Sequence, residues 1–106
     1  MFKINGITWY VKFVPAYSDS LRRSDGSLAI GMCDGNTNTI YINESLIGKL
    51  LKKVLCHEIT HAAMFSYDID LTIEQEEVVA DLIATYGEEI IQITDTIFNK
   101  LRREIE

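Results

Sequence analysis

Two histidines stand four residues apart with a glutamate directly after the first, in the run His57-Glu58-Ile59-Thr60-His61. In a helix a four-residue step climbs roughly 6 Å and returns to nearly the same face, so both imidazoles can reach one ion. Glu58 then projects to the side of that ion, where a metal-bound water would sit. These are the parts of metal-assisted hydrolysis: the two rings hold a single Zn2+ ion and the carboxylate acts as general base.

Catalytic zinc sites typically have three protein ligands and one open position. The chain has 2 His, both already in the motif, so no third imidazole can contribute. Met64 and its neighbours also lack the downstream Gly and His of the metzincin pattern. A carboxylate must therefore complete the set, and the nearby acids are Asp68, Asp70, Glu74, Glu76, Glu77 and Asp81. Helical spacing aligns Glu77, Ala80, Asp81 and Ala84 on one stripe of a second helix, with Glu74 one turn earlier. Ala80 and Ala84 let that helix approach the motif helix closely, where Ala62 is equally small. Glu77 is the expected metal ligand, with Glu74 as the alternative. Asp81 is expected to orient a ligand histidine through its other ring nitrogen. Glu74 and Glu76 also have a plainer explanation, as acids complementing a helix N-terminus. Cys56 projects about 100° away from His57 and stays outside the site.

The elements that must hold these residues can be read from period and punctuation. Residues 2–14 form a strand, in which Ile7, Trp9, Val11 and Phe13 alternate with Thr8, Tyr10, Lys12 and Val14. Asn5-Gly6 marks a tight turn after a short lead-in, or a bulge. Pro15 ends the strand, and the Ser-, Asp- and Arg-rich stretch 16–27 is a surface connection with room for one helical turn. Residues 28–33 and 39–42 form a hairpin about the turn-forming run 34–38. Asn43 caps the motif helix, with Glu44 in its first turn, and the helix runs to Phe65 or Ser66. Thr72 with Gln75 is a capping box opening the second helix. Gly87 ends or kinks that helix, and a C-terminal helix, or bent continuation, follows to about Arg103.

The expected fold class is α+β: a small three-stranded antiparallel or mixed sheet packed on the motif helix and a second metal-ligand helix. The 106 residues make one domain, 1–106. A composition of 47% hydrophobic and 25% charged residues is that of a folded soluble protein. The net charge of -6 excludes a general nucleic-acid binder, which needs a basic surface. No apolar run approaches the roughly 18 residues of a membrane span, and no charged-then-apolar leader opens the chain. A cytoplasmic protein with Cys33 and Cys56 reduced is expected.

The run Val54-Leu55-Cys56-His57-Glu58-Ile59-Thr60-His61-Ala62, followed by Glu77-Val78-Val79-Ala80-Asp81, resembles the gluzincin-type zinc metallopeptidases. It is similar in particular to the ImmA/IrrE-like family of phages and mobile elements. That family pairs an H-E-x-x-H helix with an E-x-x-A-[N/D] segment, matched here by Glu77, Ala80 and Asp81. The resemblance covers roughly residues 39–84, and departs at Thr60, where family members often carry Gly. It implies a minimal zincin-like fold, one zinc held by His57, His61 and Glu77, and peptide-bond hydrolysis with Glu58 as the base. It further implies a protein or peptide substrate, in this family commonly a specific regulatory protein, with no nucleic-acid or membrane partner. The alternative is a zinc-stabilised regulatory or interaction domain that cleaves nothing.

Overall fold

The computed structural model describes residues 1–105. Its first hairpin joins β1 (Phe2–Ile4) to β2 (Ile7–Val14). The turn residues Asn5 and Gly6 have φ of 50° and 75°, the left-handed pair that matches strand twist in a two-residue hairpin. The lead-in before Asn5 is therefore a strand in its own right, and the sheet has four strands rather than three.

A second hairpin joins β3 (Gly31–Asp34) to β4 (Thr39–Asn43), with Gly31 opposite Ile42 and Cys33 opposite Ile40. β4 also runs parallel to β2, with Val11 opposite Ile40 and Phe13 opposite Ile42. The order is β1-β2-β4-β3, a mixed sheet with β3 on its edge. Central β4 carries the densest burial: Ile40 and Ile42 have no exposed surface and pack with Trp9, Val54 and Ala62. Phe13 keeps the alternation of β2 but is half exposed. The crossover between β2 and β3 contains the single turn of helix expected there, a 3-10 turn at Asp19–Leu21, and it buries Leu21 completely.

Helix α1 spans Gly48–Ser66 and places the His-Glu-x-x-His run in its middle. It begins four residues later than expected, with Ile47 rather than Asn43 at the N-cap position. Asn43 ends β4, and its Oδ1 accepts hydrogen bonds from Ser45 N and Ser45 Oγ, at 2.9 and 2.7 Å. Asn43 does cap backbone, but the turn it closes is a loop, because its own main chain is held in the sheet opposite Val14.

Helix α2 spans Ile73–Ile105 without a break. Its start is the capping box read from sequence: Gln75 N donates to Thr72 Oγ1 at 3.2 Å and Thr72 N donates to Gln75 Oε1 at 3.0 Å. Gly87 does not end it, so the C-terminal helix is a continuation of α2 rather than a separate third α-helix. One interior glycine costs a helix only about 1 kcal/mol, and the strong formers on both sides carry the backbone ladder through. The two helices lie antiparallel, with Lys52 of α1 paired to Glu88 and His61 to Glu76, and Ala80 of α2 is fully buried. At the far end of α1, Trp9 Nε1 donates to Ser66 Oγ at 2.8 Å, tying the helix to β2. No helix of the described residues is long and apolar enough to cross a membrane.

Candidate metal centre

The helical spacing of α1 brings His57 and His61 onto one face, with ring centroids 4.9 Å apart and Nε2 atoms 3.2 Å apart. The antiparallel α2 supplies three carboxylates from its first turns. Glu77 reaches between the rings, with Oε1 2.8 Å from His61 Nε2 and Oε2 3.3 Å from His57 Nε2. Asp81 Oδ1 lies 3.0 Å from His57 Nδ1, and Glu76 Oε1 lies 2.8 Å from His61 Nδ1.

A carboxylate oxygen accepts, so Nδ1 of His57 can donate to Asp81 and Nδ1 of His61 to Glu76, the tautomer that would leave both Nε2 atoms free to bind a metal. In the neutral rings the Nε2 lone pairs then point at one another and at the Glu77 carboxylate. These three groups, with ligand atoms within 4.8 Å of one another, could hold a metal ion between them. Two ligands bound at about 2.0–2.1 Å to one tetrahedral zinc would sit roughly 3.3 Å apart. The observed separations of 2.8, 3.2 and 3.3 Å suit that ion, as does the two-nitrogen, one-oxygen donor set.

Glu58 faces the same space from one side. Its carboxylate is buried, 8% exposed, with Oε2 4.0 Å from His57 Nε2. Burial raises its pKa above the ordinary carboxylate range; His57, His61 and Arg23 oppose that shift and Glu77 adds to it. Gly31 of the edge strand makes room for it: a Cβ there would lie 2.7 Å from Val54 Cγ1 and 3.3 Å from Glu58 Oε2. Gly35 gives the same close approach to the ring of Phe65, so β3 is seated on α1 at both ends by missing side chains.

His57, Glu58, His61, Glu76 and Glu77 line a cleft of about 910 Å³ between β3 and the two helices. Gly31, Met32 and Cys33 form one wall, and Arg22 and Arg23 stand on its rim. The Cys33 thiol is pushed up to about 12 by burial, then by the negative charge of Glu58 and Glu76, and it is held as a neutral thiol. Cys33 and Cys56 are both free and half buried.

Of the residues expected from sequence, His57, Glu58, His61, Glu77 and Asp81 are brought together. Glu74 is not: it is exposed and does not line the cleft. Glu76 is the residue that sequence reasoning set aside, since an acid in a first helical turn complements the macrodipole anyway. Its signal was the pair Glu76-Glu77, adjacent on a helix and thus able to reach both nitrogens of one ring. No protein-family model, curated protein sequence or solved structure matches the chain.

Proposed function

We infer that the protein is a zinc metallopeptidase, an endopeptidase of minimal zincin-like architecture spanning residues 1–106, with one Zn2+ held by His57, His61 and Glu77. The observation that carries this reading is the buried Glu58 carboxylate. Its only polar neighbour within ion-pair distance among the described residues is His57, at 4.0 Å, and it faces the cleft beside the convergent nitrogens. A largely buried carboxylate that keeps its solvent contact only at the wall of a cleft, with no hydrogen bond to the fold, is suited to a general base.

A zinc ion in that ligand set supplies polarisation of the scissile carbonyl and acidification of the attacking water. Glu58 accepts the proton from that water and delivers it to the leaving amine. Asp81 and Glu76 hold the two imidazoles in the tautomer that turns both Nε2 atoms inward. The edge of β3 lies along the cleft and can bind an extended peptide by strand addition. The substrate on this reading is a protein, with a specific regulatory protein the first to test in view of the resemblance to ImmA/IrrE-like peptidases. The free thiols suit a cytoplasmic, reducing setting.

The test is Glu58→Gln in the zinc-loaded protein, assayed on a panel of protein substrates against ester and nucleotide substrates. Peptide cleavage should fall by about 10²–10⁴-fold with zinc content and fold unchanged. Cleavage that survives the substitution sinks the mechanism. A second reading, a zinc-stabilised regulatory or interaction domain, is favoured by the small set of fully buried large side chains, Trp9, Leu21, Ile40 and Ile42. On that reading zinc removal unfolds the chain, Glu58→Gln leaves its binding intact, and no protein is cleaved by the loaded wild type.

A further inference from the structure

We propose, resting on the peptidase reading above, that the cleft selects peptides with an acidic side chain close to the scissile bond, and that the guanidinium of Arg23 binds that carboxylate.

Arg23 stands on a braced turn at the rim of the cleft. Leu21 before it and Ala29 after it are both buried, and Ala29 N donates to Leu21 O at 2.8 Å. Between these anchors Arg22 and Leu28 form an antiparallel bridge, Arg23 N donates to Ser27 O at 2.7 Å, and Gly26 N donates to Arg23 O at 2.9 Å. Two residues past Ala29 the chain enters β3 at Gly31, the residue packed against Glu58. The turn is thereby fixed to the wall that faces the general base.

The two arginines of this turn differ in what they hold. Arg22 is engaged, with Nε 3.1 Å from Asp19 Oδ1 and Nη1 donating to Gly26 O at 2.9 Å. Arg23 uses Nη1 alone, in long hydrogen bonds to Ser27 Oγ at 3.3 Å and Leu28 O at 3.4 Å. Among the described residues its Nε and Nη2 have no hydrogen-bond partner, and no carboxylate lies within ion-pair distance. Nε and Nη2 form the edge of a guanidinium that takes a carboxylate through two parallel N–H···O bonds.

The acids nearby have other partners or another place. Asp25, two residues from Arg23, accepts from Ser27 N at 2.9 Å and from Ser27 Oγ at 2.6 Å. Glu76 and Glu77 face the histidine nitrogens. Asp68 and Asp70 line the cleft from the loop after α1, beyond Phe65, which meets Gly35 at the far end of β3 from Gly31. The cleft is therefore polarised, positive where the chain enters β3 and negative beyond its other end. That polarity draws a substrate carboxylate to Arg23 and repels it from the opposite end. A volume of about 910 Å³ corresponds to roughly 10 Å across, or about three extended residues, so the carboxylate bound by Arg23 lies near the cut.

The test maps the cleavage sites of the zinc-loaded protein in a proteome-derived peptide library by mass spectrometry. Wild-type sites should be enriched in Asp and Glu at one fixed position within about three residues of the cut. On a synthetic peptide, Glu→Gln at that position should lower kcat/KM about fivefold to tenfold, and Arg23→Gln should lower it equally for the Glu peptide but not for the Gln peptide. Arg23 is exposed, so its replacement leaves the core intact, and Arg23→Glu should move the enrichment to Lys and Arg at the same position. Wild-type sites without acid enrichment overturn the proposal, as does a loss in Arg23→Gln that is equal for both peptides. Amidation of the peptide C-terminus should change nothing; a loss there makes the chain terminus the bound carboxylate and overturns the side-chain assignment. If the wild type cleaves nothing, the peptidase reading fails on its own, and peptides retained by zinc-loaded Glu58→Gln protein decide the role of Arg23. Acid enrichment that Arg23→Glu inverts then upholds it, and its absence overturns it.

Discussion

Glu76 Oε1 sits 2.8 Å from His61 Nδ1, one residue before Glu77, whose own Oε1 sits 2.8 Å from Nε2 of the same ring. Consecutive acids thus address both nitrogens of one imidazole, which fixes the plane of the ring. His57 has the equivalent outer partner in Asp81, at 3.0 Å, but that carboxylate is 68% exposed whereas Glu76 is 29% exposed. The better shielded hydrogen bond should matter more.

Replacing Glu76 by Gln should therefore weaken zinc binding by about 10–100-fold, and Asp81→Asn by less, toward the low end of that range. Competition titration against a chromophoric chelator measures both. Equal affinities for Glu76→Gln and the wild type would show that the contact does not orient the ring.

The ligand set itself is tested by zinc content after dialysis. His57→Ala, His61→Ala and Glu77→Gln should each lose more than about 100-fold in affinity, because each leaves only two of the usual three protein donors. Glu74→Gln should bind as the wild type does. Loss on Glu74→Gln with retention on Glu77→Gln would transfer the third ligand to Glu74.

Glu58 should destabilise the metal-free fold at neutral pH. Its folded-state pKa is raised above the ordinary 4.5, so the native state holds the proton more tightly than the unfolded one. The resulting stability is fully present below the unfolded value and is lost as pH rises through the raised folded value. In EDTA, Glu58→Gln should raise stability by about 1 kcal/mol at pH above that window and leave it nearly unchanged below pH 4, as read by thermal melts. A variant less stable than the wild type at neutral pH would mean that the carboxylate is structurally satisfied.

Gly31→Ala should cost about 1–3 kcal/mol, since a Cβ there would meet Val54 Cγ1 at 2.7 Å and press on the Glu58 carboxylate. Adding Val54→Ala should recover part of the loss, giving a favourable coupling in a double-mutant cycle of urea melts. Strict additivity would mean that the strand shifts away from α1 instead.

What the sequence determined by itself was what depends on helical period and local chemistry. Four residues return to one face of a helix whatever the fold, so the His57-Glu58-His61 face and the Glu77-Asp81 stripe were legible, as was the Thr72-Gln75 capping box. A chain with 2 His forced the search for a carboxylate onto the next helix. Tertiary structure decided what depends on distant partners. Pairing with β2 kept Asn43 in the sheet and delayed α1 to Gly48, because ladder hydrogen bonds outweigh a cap preference of about 1 kcal/mol. β4 enters the sheet between β2 and β3 by a parallel pairing that no local pattern encodes. Glu76 became a partner of His61 only because α2 packs antiparallel against α1. Gly87 was read as a helix end or kink, yet one glycine costs only about 1 kcal/mol, and α2 runs on past it through Glu88 and Glu89.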